Sequence, residues 1–120
     1  MAKITIPIVT LSLNELLRMH PYARTRLKKF YRGYIEGAVH DMKMKINKLE
    51  KPKKRKVEIR SFRVGVLDPD NLVGGAKLLT DTLKELGLIW DDSPEYIDLN
   101  ITQFRDKYDS RTEIFIEEIK

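Results

Sequence analysis

The chain reads as an α+β domain of element order β-α-β-α-β-β, with two main helices and a mixed or antiparallel sheet. Three observations carry that reading. Residues 24–49 repeat apolar side chains at a helical period, residues 57–67 alternate as a strand does, and two further alternating runs flank a polar turn near the C-terminus. At 120 residues, 42% of them hydrophobic, the sequence suffices for one cored domain, taken as 1–120.

Residues 3–9 form a short first strand, which Pro7 demotes to an edge or an irregular run. Residues 11–22 read as a loop with a helical turn, broken at His20-Pro21. The long helix follows over 24–49. Its apolar positions are Leu27, Phe30, Tyr31, Tyr34, Ile35, Ala38, Met42, Ile46 and Leu49. Gly33 and Gly37 share one face of it, either admitting a second helix closely or merely tolerated at about 1 kcal/mol each. Residues 51–56 (KPKKRK) are a basic linker, which lines a phosphate-binding face or is simply solvated. In the strand 57–67, Val57, Ile59 and Ser61 face one side and Glu58, Arg60 and Phe62 the other. Towards Leu67 both sides turn apolar, as at a sheet centre. A second helix spans 75–86, with Ala76, Leu79, Leu83 and Leu86 on its core face and Gly87 as its left-handed cap. Strands at 96–107 and 111–119 close the domain as a hairpin turning at Asp109-Ser110.

Composition excludes several chemistries. The absence of cysteine removes disulfides, thiol catalysis and cysteine-ligated zinc. His20 and His40 are too few and too scattered for a typical zinc site. The first ten residues lack the apolar core of a signal peptide, and no window approaches a membrane span, so a cytoplasmic protein is expected. The net charge of +5 conceals an asymmetry: residues 1–66 hold 17 Lys/Arg against 5 Asp/Glu, and residues 67–120 hold 6 against 13. A basic half suits a polyanion, or the two halves simply neutralise each other. An acidic half beside a polyanion needs a further reason, and bound divalent cations would supply one.

The acids that bear on this are concentrated. Asp68, Asp70, Asp81, Asp91 and Asp92 fall within 25 residues, at or near element ends. Asp68 and Asp70 leave a strand two residues apart, and Asp91 and Asp92 follow a helix cap. Packing of that helix on the sheet would let the pairs converge. Converging carboxylates hold magnesium, which takes oxygen ligands and keeps sites for water and phosphate. Such metals hydrolyse phosphodiesters, and a nearby lysine neutralises developing charge. Lys77 and Asp81, four apart on one helix face, could serve that chemistry or form a plain ion pair.

The run DPDNLVGGAKLLTDTLKELGLIWDDSPE, residues 68–95, resembles the signature of RusA-type crossover junction endodeoxyribonucleases: Asp-x-Asp-Asn-Leu, a helix bearing Lys and Asp, then Gly and Asp-Asp. The resemblance implies a homodimeric, Mg2+-dependent enzyme (Mn2+ substituting) that resolves four-way DNA junctions by paired nicks in recombination and repair, in a bacterial or phage-infected cell. It implies catalytic roles for Asp68, Asp70, Asp92 and Lys77, and metal ligation by Asp68, Asp70, Asp91 and Asp92. Asn14 matches an Asn in the loop after the first strand. Two departures stand out: Gly74-Gly75-Ala76 reads as an insertion before Lys77, and Leu67 replaces a basic residue before the first aspartate. DNA contacts are therefore expected from Lys53, Lys54, Arg55, Arg60, Arg63 and Lys77. Two other functions stay open: a non-catalytic DNA-binding accessory protein, and a nuclease acting on flaps or duplex.

Overall fold

Alternation in the sequence becomes one buried and one half-exposed sheet face. The structure, a computed structural model, describes residues 2–41 and 46–119. Its strands are β1 (Ala2–Ile6), β2 (Arg55–Arg63), β3 (Ile97–Arg105) and β4 (Arg111–Glu118), in sheet order β1-β4-β2-β3. Along β2, Val57, Ile59 and Ser61 are buried, while Glu58, Arg60 and Phe62 are half-buried on the opposite face. β2 pairs antiparallel with β4, setting Ile59 against Ile114, and parallel with β3, setting Ile59 against Ile101. β1 adds an antiparallel edge, Ile4 opposite Ile114. The fold is therefore α+β with a mixed sheet, as expected.

The closing hairpin is not formed. β3 and β4 are consecutive in sequence, but β2 lies between them. Residues 106–110 instead cross the end of β2. There the Asp106 N–H donates to the Arg63 carbonyl (2.7 Å), and the Asp106 carboxylate accepts from the N–H groups of Tyr108 and Asp109. A polar turn signals that the chain reverses, not which strand it reverses beside. The strand 57–67 also ends early. β2 stops at Arg63, and Val64 and Val66 are exposed rather than central. Beyond them, Leu67 exchanges backbone hydrogen bonds with the Gln103 side chain at 2.9 and 2.7 Å.

The described residues form four helical segments, α1 (Leu13–Arg18), α2 (Pro21–Asp41), α3 (Pro69–Gly75) and α4 (Lys77–Glu85), of which α2 and α4 place side chains in the core against the sheet. α1 forms because Ser12 and Glu15 make a reciprocal capping box, satisfying two of the free N–H groups at a helix start. His20-Pro21 is a break, as expected, and also a start, since proline is well suited to the first helical position. α2 buries Tyr31 and Ile35. It does not run to residue 49: residues 46–49 are not helical, Ile46 is buried, and the Leu49 N–H bonds the Gly87 carbonyl at 2.8 Å. Long-range partners there override helical periodicity. Met42 lies outside the described residues. Gly33 and Gly37 face open space, with nothing within 4 Å of where a Cβ would stand, so among the described residues no second helix approaches them.

The expected helix 75–86 forms as α4 over Lys77–Glu85, and a further helix, α3, runs into it at Ala76, which caps both. Ala76, Leu79, Leu83 and Leu86 are all buried, and Gly87 adopts φ +76°, as a left-handed cap requires. α3 and α4 provide the crossover that a parallel β2–β3 pair needs. Tyr31, Ile35, Leu79, Leu83, Leu88 and Ile89 meet Ile4, Ile6, Val57, Ile59, Ile114 and Ile116 in one core. Each such side chain contributes about 1.5–3 kcal/mol on burial.

Candidate functional site

The first acidic pair sits at the start of α3. Asp68 is its N-cap, accepting from the Asn71 N–H (3.0 Å) and from Asn71 Nδ2 (2.8 Å). Asn71 Oδ1 in turn accepts the Asn14 N–H at 3.0 Å, across 57 residues of sequence. Asn71 therefore fastens α1 to the carboxylate. Its side-chain bond, followed by its backbone bond, holds the Asp68 carboxyl below its ordinary pKa. Asp70 lies in the first turn of α3 and is exposed. Pro69 at the first helical position and Asp68 before it were the sequence signal for α3, a helix absent from the periodicity reading.

The second pair is held by α4. Lys77, at the helix start, bonds both Asp81 Oδ1 (2.9 Å) and Asp92 Oδ2. The Lys77 ammonium is pushed well above its usual pKa, by Asp92 first and Asp81 second. It is thus a fixed cation and a donor, not a base. Lys84, seven residues on and so on nearly the same stripe, bonds Asp91 Oδ1 at 3.0 Å and lowers the Asp91 pKa. The Asp92 N–H also donates to Asp91 Oδ1 (2.8 Å). The local pair Lys77–Asp81 is real, then, but it belongs to a network of two lysines and three carboxylates. Lys84 in this network, and Asn71 beside Asp68, carry roles that the sequence alone does not assign.

Magnesium calls for oxygen donors, and this stretch offers carboxylates with no thiol or imidazole among them; the donor chemistry fits. The expected convergence of Asp68, Asp70, Asp91 and Asp92 is a separate matter. Among the described residues no three His, Asp or Glu side chains gather into a cluster able to hold a metal ion. Asp92 is drawn to Lys77 and Asp91 to Lys84 instead.

The expected phosphate contacts divide sharply. Lys54 is exposed and lines a shallow hollow with Asp92, Pro94 and Ile97. Lys53 is half-exposed and pairs with Glu118 at 2.7 Å. Arg60 lies on the open sheet face, bonded to Glu58 and stacked over the Phe115 ring. Arg55 and Arg63 are corrections to the expected set: they are buried, 3% and 6% exposed. Arg55 holds the Leu88 and Asn47 carbonyls and Glu118, and Arg63 holds the Thr10 carbonyl and Ser61 Oγ. Their guanidiniums fasten loops to the sheet and cannot also meet phosphate. Arg55→Ala is accordingly expected to lower folding stability by about 3 kcal/mol, because three acceptors lose a charged donor. Urea denaturation checks this; an unchanged midpoint would contradict the structural role.

Among the described residues no helix is long and apolar enough to cross a membrane. The chain matches no protein-family model, and comparison with curated proteins finds no match either.

Proposed function

We propose that this protein is a Mg2+-dependent endodeoxyribonuclease of the RusA type, cleaving four-way DNA junctions as a homodimer. The observation that supports this most is the engagement of Lys77 with Asp92 across fifteen residues of sequence, inside the one segment that carries the resemblance. In this reading Asp68, Asp70, Asp91 and Asp92 would ligate the cation, with Mn2+ able to substitute. Bound there, a divalent cation supplies an activated water and neutralises phosphate charge. The chain's own residues do the rest. Asn71 keeps Asp68 ionised and oriented. Lys77, whose ammonium form Asp92 and Asp81 favour, offers that ammonium to a non-bridging phosphate oxygen as charge develops there. Asp81 and Asp92 hold that ammonium in place. Lys54, beside Asp92, adds a phosphate contact at the margin.

A specific observation favours a second reading, a DNA-binding accessory protein without catalysis. Asp92 and Asp91 are already paired with Lys77 and Lys84, and among the described residues no carboxylate cluster stands assembled. One assay separates the two. Labelled four-way, flap and linear duplex DNA are incubated with protein, with and without Mg2+. Paired, Mg2+-dependent nicks in the four-way substrate are expected. Binding without cleavage in any divalent metal would leave the accessory reading, and cleavage of flaps alone would change the substrate. Two nicks placed opposite each other favour a two-fold dimer, so light scattering should return twice the 14.1 kDa of one chain.

A further inference from the structure

We infer that the outer face of α1 and α2, carrying Arg18, Arg26 and Lys29, is the main surface on which this protein holds a DNA phosphate backbone. The inference rests on the DNA reading above and relocates its principal contact surface, since two of the arginines expected there are buried.

The fold leaves positive charge on this face uncompensated. Residues 21–35 contain five cations, Arg24, Arg26, Lys28, Lys29 and Arg32, and no carboxylate. Arg24 is turned onto the Met19 carbonyl, Lys28 onto Glu85, and Arg32 onto Glu36. Arg18, Arg26 and Lys29 are exposed and pair with no carboxylate among the described residues. Among the described residues Lys3, Lys53, Arg55, Arg60, Lys77, Lys84 and Arg111 all meet acids, whereas the other cations without an acidic partner, Lys48, Lys51, Lys54, Lys56, Arg105 and Lys107, lie within residues 48–56 and near the end of β3.

Helix polarity gives a second, independent observation. A helix start is partially positive and favours acids, while its end favours bases. α1 has Glu15 in its first turn and Arg18 in its last; α3 has Asp70 in its first turn and no base in its last; α4 has Lys84 in its last turn and no acid in its first. α2, like α4, opens without an acid in its first turn, and in α2 that turn holds Arg24, with Arg26 following. Phosphate bound along this start would turn the unfavourable arrangement into a favourable one.

Geometry completes the surface. With Tyr31 and Ile35 turned into the core, Tyr22, Arg26, Lys29 and Gly33 follow one another at helical spacing on the opposite side. Tyr22 is 75% exposed and stacked on His20, a flat pair beside the cations that can lie against a sugar or an unpaired base. Gly33 has nothing near it, leaving the helix bare where a backbone can approach. The face also leads to the acidic site. Asn14, whose N–H is bonded to Asn71 beside Asp68, precedes Arg18 by one turn of α1, and the His20–Tyr22 joint carries the track onto α2. A strand held on Arg18, Arg26 and Lys29 therefore passes alongside Asp68 and Asp70.

The test is the salt dependence of binding, read by fluorescence anisotropy with a labelled duplex and a labelled four-way junction. Each phosphate contact contributes about −0.9 to the slope of log K against log salt on duplex. The triple substitution Arg18→Ala, Arg26→Ala, Lys29→Ala should make that slope shallower by roughly 2 to 3 and weaken binding at least tenfold at low salt. The charge-conserving Arg18→Lys, Arg26→Lys should keep the wild-type slope. Amide shifts of the unmodified protein titrated with duplex should cluster in residues 14–33, which tests the surface even if the triple variant folds poorly. Wild-type binding with an unchanged slope in the triple variant, or amide shifts confined to 51–56, would overturn this surface and leave the DNA reading intact. No binding of either DNA by the wild-type protein would overturn both.

Discussion

Gly75→Ala should destabilise the protein by about 3 kcal/mol or more, among the largest effects of any single methyl added to this chain. A Cβ at Gly75 would stand 1.8 Å from the Leu11 carbonyl oxygen, 2.9 Å from its carbon and 3.2 Å from the Ser12 carbonyl carbon. These are backbone atoms of the segment that caps α1, so no rotamer change relieves the clash. Either α3 or the Leu11–Ser12 segment must retreat. Retreat would loosen the Ser12 capping box and the Asn14–Asn71 bond together. Gly74→Ala meets only the Leu13 side chain, at 2.9 Å and beyond, and should cost less. Gly33→Ala meets nothing and should stabilise α2 by up to about 1 kcal/mol, the ordinary gain in helix propensity. Urea denaturation of the three variants should give opposite signs for Gly75 and Gly33. A Gly75→Ala midpoint equal to wild type would show that α1 and α3 do not approach as closely as described. The Gly-Gly pair, which reads in the sequence as an insertion, is then the means by which α1 is brought against the acidic site.

What the sequence made legible was local. The alternation Val57, Ile59, Ser61 placed a strand and its buried face, and Gly87 announced its left-handed cap, because each signal depends on one residue and its neighbours. What it hid was long-range. The turn at Asp109-Ser110 was read as a hairpin, yet β2, more than forty residues earlier in sequence, takes the place between the two strands. Helical periodicity ran on through Ile46 and Leu49, but Gly87 supplies the Leu49 N–H with a partner outside any helix. Arg55 reads as a phosphate ligand because it lies in a basic run, and Arg63 because Leu67 leaves the position before Asp68 without a base. Their burial depends on carbonyls of Leu88, Asn47 and Thr10, which no spacing rule brings together. In the acidic site the ion pair Lys77–Asp81 was legible from its spacing of four. The reach of Asp92 to the same ammonium was not, since it requires the chain after Gly87 to fold back along α4.

Asp70→Asn is expected to lower the rate of junction cleavage by at least about a thousandfold, equivalent to roughly 4 kcal/mol of transition-state stabilisation, without loss of DNA binding. Asp70 is exposed in the first turn of α3, so replacing its carboxylate by an amide leaves the core untouched and should leave the melting temperature nearly unchanged. What changes is the charge offered to a cation, and the repulsion felt by an approaching phosphate falls at the same time. Binding measured by gel shift should therefore be equal to wild type or tighter. Asp92→Asn makes a sharper comparison. It removes a carboxylate from the same proposed site but also loosens Lys77, which keeps Asp81 as its remaining acidic partner. Lys77 then turns more readily to phosphate, so binding should tighten more than for Asp70→Asn while cleavage falls as far. The stability change should stay within about 1 kcal/mol, since the pair is partly solvated. Rigorously purified Asp70→Asn or Asp92→Asn protein that still nicks four-way DNA in Mg2+ at the wild-type rate would remove that aspartate from the site. If both did so, the acidic network around Lys77 would be a stabilising feature of α4 and nothing more.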